Sequence, residues 1–323
     1  MIDVIFYEAF EEEEEAIKEL LPDGISAQFT DKTIQESGDG NPPAELISIR
    51  TQSRVPKHWA KDVKGILTRS QGYEHLLAFR QECNAGISLG YLDNYCARAV
   101  AEQAILAMMA LLRKLKKQID HFSAFDRNGL TGRECRGRKV LVAGVGRIGS
   151  EIVDAAKGLR MDVKGFDIDP KLVGLSYVSL EEGIGWADVV ICALPLTEET
   201  EGMLNYQALQ KARPGLIFVN ISRGDISPAE DLEKLMDEEI LGGVSLDVYP
   251  QEPVLAQHLR NGQEGATNIE RAVMGLYRRG QVLLTPHNAF NTEEALAQKA
   301  SLSVDAIIYH IEHGSFPCPV PGG

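Results

Sequence analysis

The stretch K-V-L-V-A-G-V-G-R-I-G-S-E-I-V-D, residues 139–154, decides the fold. Its apolar start predicts a buried strand, and its end predicts a helix. Between them Gly144, Gly146 and Gly149 form the pattern G-x-G-x-x-G. The first glycine permits a tight turn, the second lets the backbone approach a pyrophosphate, and the third lets the helix pack closely on the strand. With the pyrophosphate at the helix N-terminus, the stretch predicts a dinucleotide-binding βαβ unit.

An acidic residue supports this interpretation at the end of the next predicted strand. Asp167 ends V-K-G-F-D, 18 positions after Gly149. Its carboxylate can accept hydrogen bonds from the adenosine ribose hydroxyls and would repel a 2′-phosphate. The following residues, Ile168-Asp169-Pro170, offer no cation for such a phosphate. The sequence therefore favours NAD over NADP.

Alternating strands and helices extend from this stretch in both directions. Downstream, near-continuous apolar strands predict a doubly wound parallel sheet that helices cover on both faces. These strands are 139–144, 163–167, 188–194, 216–221, 243–248 and 281–285. Upstream, strands are predicted at 4–7, 25–29, 46–50 and 65–68, with a short apolar segment around Ile87. The fold class is α/β.

Several helices can be placed from the sequence alone. A long helix from Arg98 through residue 117 has an apolar face so broad that we expect it to pack on another domain or subunit. Capping boxes are predicted at Ser179 and at Ser227, and the last helix should run from about 292 to 312. The acidic run Glu11 to Glu15 is interpreted as a solvated helix start.

Composition excludes several classes of function. The formal net charge of −14 argues against nucleic acid as a partner, because phosphate binding requires clustered lysine and arginine. The five cysteines lack C-x-x-C spacing, which argues against a zinc site or a disulfide framework and suits a reducing cytosol. No apolar stretch is long enough to cross a bilayer, and the N-terminus lacks a signal-peptide pattern. We expect a cytoplasmic protein without a metal or a membrane partner.

Three polar residues follow later strands of the predicted sheet. Arg223 follows L-I-F-V-N-I, Glu252 lies just beyond G-V-S-L-D-V, and His287 follows Q-V-L-L-T. Reduction of a 2-oxo acid requires a proton donor at the carbonyl oxygen, and histidine suits neutral pH. A carboxylate beside the histidine favours the imidazolium, and an arginine can bind the substrate carboxylate and polarise the carbonyl. Together these residues predict hydride transfer between the dinucleotide and a 2-oxo or 2-hydroxy acid.

With these motifs the chain resembles the D-isomer-specific 2-hydroxyacid dehydrogenases, closest to the D-lactate dehydrogenase branch, over nearly its full length. The matching segments are T-R-S-Q-G-Y-E-H (68–75), Y-C-A-R-A-V-A-E (95–102), L-T-G-R-E-C-R-G-R-K-V-L-V-A-G-V-G-R-I-G (130–149), A-L-P-L-T-E-E-T (193–200), V-N-I-S-R-G (219–224), L-D-V-Y-P-Q-E-P (246–253) and T-P-H-N-A-F (285–290).

The resemblance implies two Rossmann-like domains. An NAD-binding domain, residues 98–291, would be inserted in a flavodoxin-like substrate domain made of residues 1–97 and 292–323. It also implies an active site in the cleft between them and a homodimer formed through the NAD-binding domains.

The resemblance also implies roles for individual residues. Arg223, Glu252 and His287 would be catalytic. Backbone N–H groups of Ser70, Gln71 and Gly72 would bind the substrate carboxylate, and Tyr95 would line the substrate pocket. The implied cofactor contacts are Val100, Gly144, Gly146, Arg147, Ile148, Gly149, Asp167, Leu194, Pro195, Thr200, Ile221, Ser222, Asp247, His287 and Ala289, with Asp247 meeting the nicotinamide carboxamide.

Substrate choice stays open within this resemblance. Phe290 and the long segment between Glu252 and His287 resemble the lactate branch, whereas Asn291 stands where lactate enzymes often carry an aromatic residue. Leu92-Asp93 also replaces the usual Val-Pro before the pocket tyrosine. The alternatives are a glyoxylate or hydroxypyruvate reductase, a reductase of bulkier 2-oxo acids, and a non-catalytic NAD-sensing protein like the corepressors of this fold. Glu252 argues against a formate dehydrogenase, which lacks that glutamate.

Overall fold

A computed structural model describes residues 2–83, 86–263, 265 and 267–322. The chain divides into two compact units, which we call the first unit (1–95 and 291–323) and the second unit (96–290). From the sequence, the chain was predicted to pass from one domain to the other at 97/98 and again at 291/292. Each unit is built around its own parallel sheet.

The elements of the chain up to residue 95 are β1 (Val4–Phe6), α1 (Glu11–Leu20), β2 (Ala27–Phe29), α2 (Ile34–Ser37), β3 (Leu46–Ile49), β4 (Gly65–Thr68), α3 (Glu74–Cys83) and β5 (Ser88–Tyr91). Those of the second unit are α4 (Ala97–Leu112), α5 (Leu115–His121), β6 (Lys139–Ala143), α6 (Arg147–Gly158), β7 (Asp162–Phe166), β8 (Ser176–Tyr177), α7 (Leu180–Trp186), β9 (Val189–Cys192), α8 (Tyr206–Leu209), β10 (Leu216–Asn220), α9 (Ala229–Asp237), β11 (Leu241–Leu246), α10 (Glu252–Arg260), α11 (Asn268–Tyr277) and β12 (Val282–Leu284). The last helix is α12 (Glu293–His313), which returns to the first unit.

The first unit has the strand order β2-β1-β3-β4-β5, with every pair parallel. This is the flavodoxin-like order 2-1-3-4-5. Its core lies between the strands and α3, with Trp59 and Ile66 fully buried. The α/β class predicted for this part of the chain is therefore confirmed.

The second unit has the strand order β12-β11-β10-β9-β6-β7-β8, again with parallel pairs. The chain runs outward from β6 to β8, then crosses back to β9 and continues to β12. This is the Rossmann order, with one strand added beyond β11. Such a sheet binds ligands at the carboxyl ends of the strands next to the switch point, which here lies between β6 and β9.

The predicted strands are present with shifts of one or two residues, and the short strand β8 was not predicted. The core prediction for Cys192 is confirmed, since that side chain is fully buried. The capping box at Ser179 forms as predicted, and the last helix begins after its N-cap Thr292. No helix among the described residues is long and apolar enough to cross a membrane.

Three predictions about helices were wrong. The long helix does not reach residue 117, because Lys114 takes a left-handed conformation (φ +54°) that separates α4 from α5. Ser227 does not cap α9, because its hydroxyl accepts a hydrogen bond from the Asn220 amide and Pro228 holds the N-cap position. The acidic run does begin α1, but Glu13 is fully buried rather than solvated.

Candidate active site

The glycine loop between β6 and α6 has the geometry that the three glycines were expected to provide. Gly144 has φ +90°, and a Cβ there would lie 2.6 Å from the carbonyl oxygen of Ala193. A Cβ on Gly149 would lie 2.0 Å from the carbonyl oxygen of Gly144, so helix and loop touch at that residue. Gly146, in contrast, is the N-cap of α6, and a Cβ there would have no atom within 4 Å. The loop therefore leaves an accessible backbone at a helix N-terminus, which suits a pyrophosphate.

Asp167 lies at the end of β7, beside this loop. Its Oδ2 accepts a hydrogen bond of 2.7 Å from the backbone N–H of Val145, and its Oδ1 accepts one of 2.8 Å from that of Asp169. Each carboxylate oxygen can accept two hydrogen bonds, so both can also serve ribose hydroxyls. The neighbouring side chain, Ile168, is almost wholly exposed.

The loop after β9 is the next element at the same sheet edge. Leu194 and Thr200 are buried, and Pro195 is exposed. The Thr200 hydroxyl donates a hydrogen bond of 2.6 Å to the carbonyl oxygen of Pro195 and accepts one of 2.8 Å from the backbone N–H of Thr197. Thr200 thereby fixes the shape of the loop that the resemblance assigns to the cofactor.

Arg223 follows β10 in a turn organised by Asn220. The Asn220 amide donates a hydrogen bond of 2.9 Å to the carbonyl oxygen of Arg223, and its Oδ1 accepts one of 3.0 Å from the backbone N–H of Ser222. Gly224 comes next, and a Cβ there would lie 1.9 Å from the carbonyl carbon of Tyr249. The arginine turn is thus packed directly against the segment that leads to Glu252.

His287 and Glu252 form an ion pair, with His287 Nδ1 2.7 Å from Glu252 Oε1. Glu252 is the first residue of α10, and His287 follows β12 with a left-handed backbone (φ +50°). The side chains keep 15% and 26% of their accessible surface, respectively, so the pair is largely shielded but reachable. Because Nδ1 faces the carboxylate, Nε2 is the nitrogen left to exchange a proton with a substrate.

Asp247 anchors the loop that carries His287. It is buried after β11, and its carboxylate accepts hydrogen bonds from the Thr285 hydroxyl (2.5 Å) and from the backbone N–H groups of Asn288 and Ala289 (2.9 Å each). Burial raises the pKa of Asp247, whereas these hydrogen bonds and the nearby His287 oppose the shift. The bonds on both sides of His287 hold its strained backbone in place.

The sequence did not single out two supporting residues that the structure reveals. Tyr249 donates a hydrogen bond of 2.7 Å to the carbonyl oxygen of Thr285, and Asn220 organises the arginine turn. Their positions in the sequence could have indicated them, because each stands within three residues of a predicted catalytic side chain.

In the second unit the predicted residues lie at the carboxyl edge of the sheet. Strands β10, β11 and β12 are neighbours, and the segments after them carry Arg223, Glu252 and His287. The cofactor candidates follow β6, β7, β9, β10, β11 and β12 at that edge, while Val100 is buried in the first turns of α4 and Arg147 and Ile148 begin α6.

The remaining candidates belong to the first unit. Ser70, Gln71 and Gly72 follow β4 and form a tight loop, in which the Ser70 hydroxyl donates a hydrogen bond of 2.6 Å to the carbonyl oxygen of Gly72. The carbonyl oxygen of Ser70 also accepts a hydrogen bond of 3.2 Å from the N–H of Leu92. Tyr95 is buried at the end of the unit's first segment.

Comparisons with known proteins agree with this geometry. The sequence profile of the D-isomer specific 2-hydroxyacid dehydrogenase NAD binding domain matches residues 105–289. The D-lactate dehydrogenase of Lactiplantibacillus plantarum is 31% identical over 263 residues, which cover 78% of this chain and 76% of that protein. The 2-hydroxyacid dehydrogenase A of Aspergillus oryzae is 31% identical over 286 residues, which cover 86% and 81%.

A solved structure shows that the fold is shared over the whole length. The crystal structure of D-lactate dehydrogenase from Aquifex aeolicus, complexed with NAD and lactic acid, matches with a TM-score of 0.83 at 24% identity. The match covers 99% of this chain and 100% of that one.

Proposed function

The chain belongs to the D-isomer-specific 2-hydroxyacid dehydrogenase family, and we propose that within this family it reduces pyruvate, or another small 2-oxo acid, to the D-hydroxy acid. Family membership makes it an NAD-dependent oxidoreductase. The observation that carries the catalytic part of this proposal is the 2.7 Å contact between His287 and Glu252, because a histidine held by a carboxylate is the proton donor that a carbonyl oxygen requires.

The residues around the glycine loop fit NAD. Gly146 offers open space at the N-terminus of α6, where a Cβ would narrow the approach to a pyrophosphate. Asp167 supports NAD over NADP, because its carboxylate would repel a 2′-phosphate. The cofactor would supply the hydride as NADH in reduction and accept it as NAD+ in oxidation.

His287 acts as general acid in the reduction. Glu252 accepts a hydrogen bond from Nδ1–H and thereby favours the imidazolium, so that Nε2–H can donate a proton to the carbonyl oxygen. In the oxidation direction, neutral Nε2 accepts the proton of the hydroxyl group. The left-handed backbone of His287, fixed by Asp247, sets the direction in which the ring projects.

Arg223 binds the substrate carboxylate and polarises the carbonyl group. A guanidinium can donate two parallel hydrogen bonds to such a substrate. The Asn220 amide and the close packing at Gly224 fix the backbone of the arginine turn, and the Arg223 guanidinium donates a hydrogen bond of 2.8 Å to the carbonyl oxygen of Ser222.

The loop of Ser70, Gln71 and Gly72 is proposed to bind the substrate carboxylate through its backbone N–H groups, and Tyr95 to line the pocket. The Asp247 carboxylate accepts hydrogen bonds at both oxygens, two at Oδ1 and one at Oδ2. Oδ2 can therefore also accept a hydrogen bond from the nicotinamide carboxamide.

A substrate panel tests this proposal. Pyruvate, 2-oxobutyrate, glyoxylate, hydroxypyruvate and 2-oxoisocaproate are each assayed with NADH and with NADPH. We expect pyruvate or 2-oxobutyrate to give the highest kcat/KM with NADH. Preference for glyoxylate, hydroxypyruvate or 2-oxoisocaproate would redirect the substrate assignment, and NADH binding without turnover of any acid would favour an NAD-sensing protein.

The second unit also presents a surface that suits a homodimer. Helices α4 and α5 and the turn after them expose Leu106, Ile119, Phe122 and Phe125, the two phenylalanines at 75% and 71%. Several large apolar side chains exposed close together in the chain are typical of a subunit interface. Light scattering after size exclusion should give twice the chain mass of 35.5 kDa, and Phe122→Glu should shift it towards the monomer. A wild-type monomer at micromolar concentration would rule out the dimer.

A cytoplasmic location is the last part of the proposal. The five cysteines, all of them among the described residues, form no disulfide with one another, as expected in a reducing compartment. Fractionation of the native host should recover the protein with cytoplasmic markers, whereas recovery with an extracellular or membrane fraction would exclude that location.

A further inference from the structure

The first unit contains a fully buried cluster of charges formed by Glu13 of α1, Arg69 after β4 and Lys299 of α12. All three side chains have 0% exposure. Glu13 Oε1 lies 2.9 Å from Arg69 Nε and 2.7 Å from Lys299 Nζ. Two cations therefore share one carboxylate, and the cluster carries a net positive charge when the lysine is protonated.

Arg69 connects this cluster to the proposed carboxylate-binding loop. It directly precedes Ser70, and its guanidinium also donates hydrogen bonds to Ser48 Oγ (3.0 Å) and to the carbonyl oxygen of Tyr7 (2.7 Å). Its backbone N–H donates to the carbonyl oxygen of Ile49 at 2.7 Å. The start of the loop is thus fixed by a side chain whose counterion is shared with Lys299.

Burying a second cation against one carboxylate costs free energy, because one carboxylate neutralises only one of the two positive charges. Removal of a lysine from water disfavours its charged form, and a nonpolar residue of similar length would fill the same space. The positive charge of this cluster would attract a substrate carboxylate at the adjoining loop. In a protein with net charge −14, such a local positive site also favours entry of an anion.

We propose that Lys299 is a positioning residue for the substrate: its ammonium, buried beside Glu13 and Arg69, strengthens the binding of the substrate carboxylate by the Ser70–Gln71–Gly72 loop, and this binding weakens when the ammonium loses its proton. The inference rests on the proposed function, because it takes that loop as the site of the carboxylate.

The charged groups that face Lys299 determine when this change occurs. They are Glu13 from α1, Arg69 from the end of β4 and Arg50 from the end of β3. The Phe10 ring also lies 5.6 Å from the ammonium. Burial, followed by the charge of Arg50, lowers the pKa of Lys299 to about 7, although Glu13 opposes the shift. Lys299 therefore changes its charge within the working pH range of most enzymes.

Kinetics of two variants test the proposal. In Lys299→Met the KM for pyruvate at pH 6.5 should rise about tenfold while kcat stays within about twofold, and the difference from wild type should shrink at pH 8.5. Lys299→Arg keeps its charge and should retain a low KM at both pH values. Lys61→Met, a change of an exposed lysine in the same unit, is the control. An equal KM for Lys299→Met and wild type at both pH values would overturn the proposal.

A binding measurement keeps the test decisive if the Lys299 variants do not fold. Oxamate resembles a 2-oxo acid but cannot accept a hydride, and calorimetry in two buffers gives the protons taken up when it binds to the protein with NADH. In the wild type and in His287→Gln, net proton uptake near pH 8 is expected on binding, because Lys299 gains charge. No uptake by a His287→Gln variant that binds oxamate overturns the role of Lys299 alone, whereas neither oxamate binding nor turnover of any 2-oxo acid by the wild type overturns the proposed function as well.

Discussion

His287 Nδ1 lies 2.7 Å from Glu252 Oε1, although the two residues stand 35 positions apart in the chain. The strand β12 delivers the imidazole and the start of α10 delivers the carboxylate, so the pair forms only in the folded second unit. This contact gives the proposed proton donor its orientation and its counterion.

The first prediction concerns the Glu252→Gln variant. Glutamine keeps a hydrogen-bond acceptor near Nδ1 but removes the negative charge that favours the imidazolium. We expect the basic limb of the kcat/KM profile for 2-oxo acid reduction to move to lower pH, with kcat reduced about 100-fold at pH 8. Glu270→Gln is the control, because Glu270 lies 2.5 Å from His258 in the same unit. An unmoved limb in Glu252→Gln would show that this carboxylate does not support the general acid.

A second prediction concerns the choice of cofactor. The double variant Asp167→Asn, Ile168→Arg removes the charge that repels a 2′-phosphate and adds a cation at an exposed position. The ratio of kcat/KM for NADPH to that for NADH should rise about 100-fold. Ile168→Gln alone should leave the ratio nearly unchanged. If the wild type already prefers NADPH tenfold, the proposed role of Asp167 is wrong.

A third prediction concerns the glycine loop, because an added Cβ would approach other atoms at Gly149 but not at Gly146. Gly149→Ala places a Cβ 2.0 Å from a carbonyl oxygen and should lower the free energy of unfolding by about 2 kcal/mol. Gly146→Ala meets open space, so it should keep the stability and raise the KM for NADH about tenfold.

Gly158→Ala is the matched control for this pair, since it lies on the same helix and also meets open space. Thermal melts and NADH titrations of the three variants decide the outcome. Normal NADH affinity in Gly146→Ala would contradict the placement of the pyrophosphate.

A fourth prediction concerns the buried carboxylate of Glu13. Burial alone would raise its pKa, but the charges of Arg69, Lys299 and Arg50 lower it to about 2. A carboxylate with a lowered pKa stabilises the fold above its unfolded-state value of 4.5, and that contribution is lost as the pH falls towards 2. Glu13→Gln should therefore cost about 3 kcal/mol at pH 7, and the difference from wild type should narrow between pH 4.5 and 2.

Urea unfolding of Glu13→Gln across this pH range is the measurement, with the exposed neighbour Glu12→Gln as control. The control should lose less than about 0.5 kcal/mol. Equal losses in the two variants would mean that the buried ion pairs do not stabilise the first unit.

The grouping of the catalytic candidates could be predicted from the sequence, because residues that follow parallel strands lie at the same edge of the sheet. Once 139–154 had been identified as a dinucleotide-binding βαβ unit, Arg223, Glu252 and His287 followed at the ends of later predicted strands. The contact between His287 and Glu252 then appears in the structure, whereas the roles of all the predicted site residues remain predictions.

Contacts between distant segments could not be predicted in the same way. Five consecutive glutamates look alike in the sequence, and the partners that bury Glu13 lie after β4 and on the last helix. Ser227 matched a capping pattern, but Asn220 engages its hydroxyl instead. Asp247 was predicted to contact the cofactor, while its hydrogen bonds to the His287 loop depend on how β11 and β12 pair.

The chirality of the product tests the central claim most directly. The wild-type protein is incubated with pyruvate and NADH, and the lactate formed is separated by chiral chromatography. The account predicts D-lactate alone from the wild type, and at least about a 100-fold lower rate of its formation from His287→Gln. L-lactate as the product, or undiminished formation of D-lactate by His287→Gln, would contradict it.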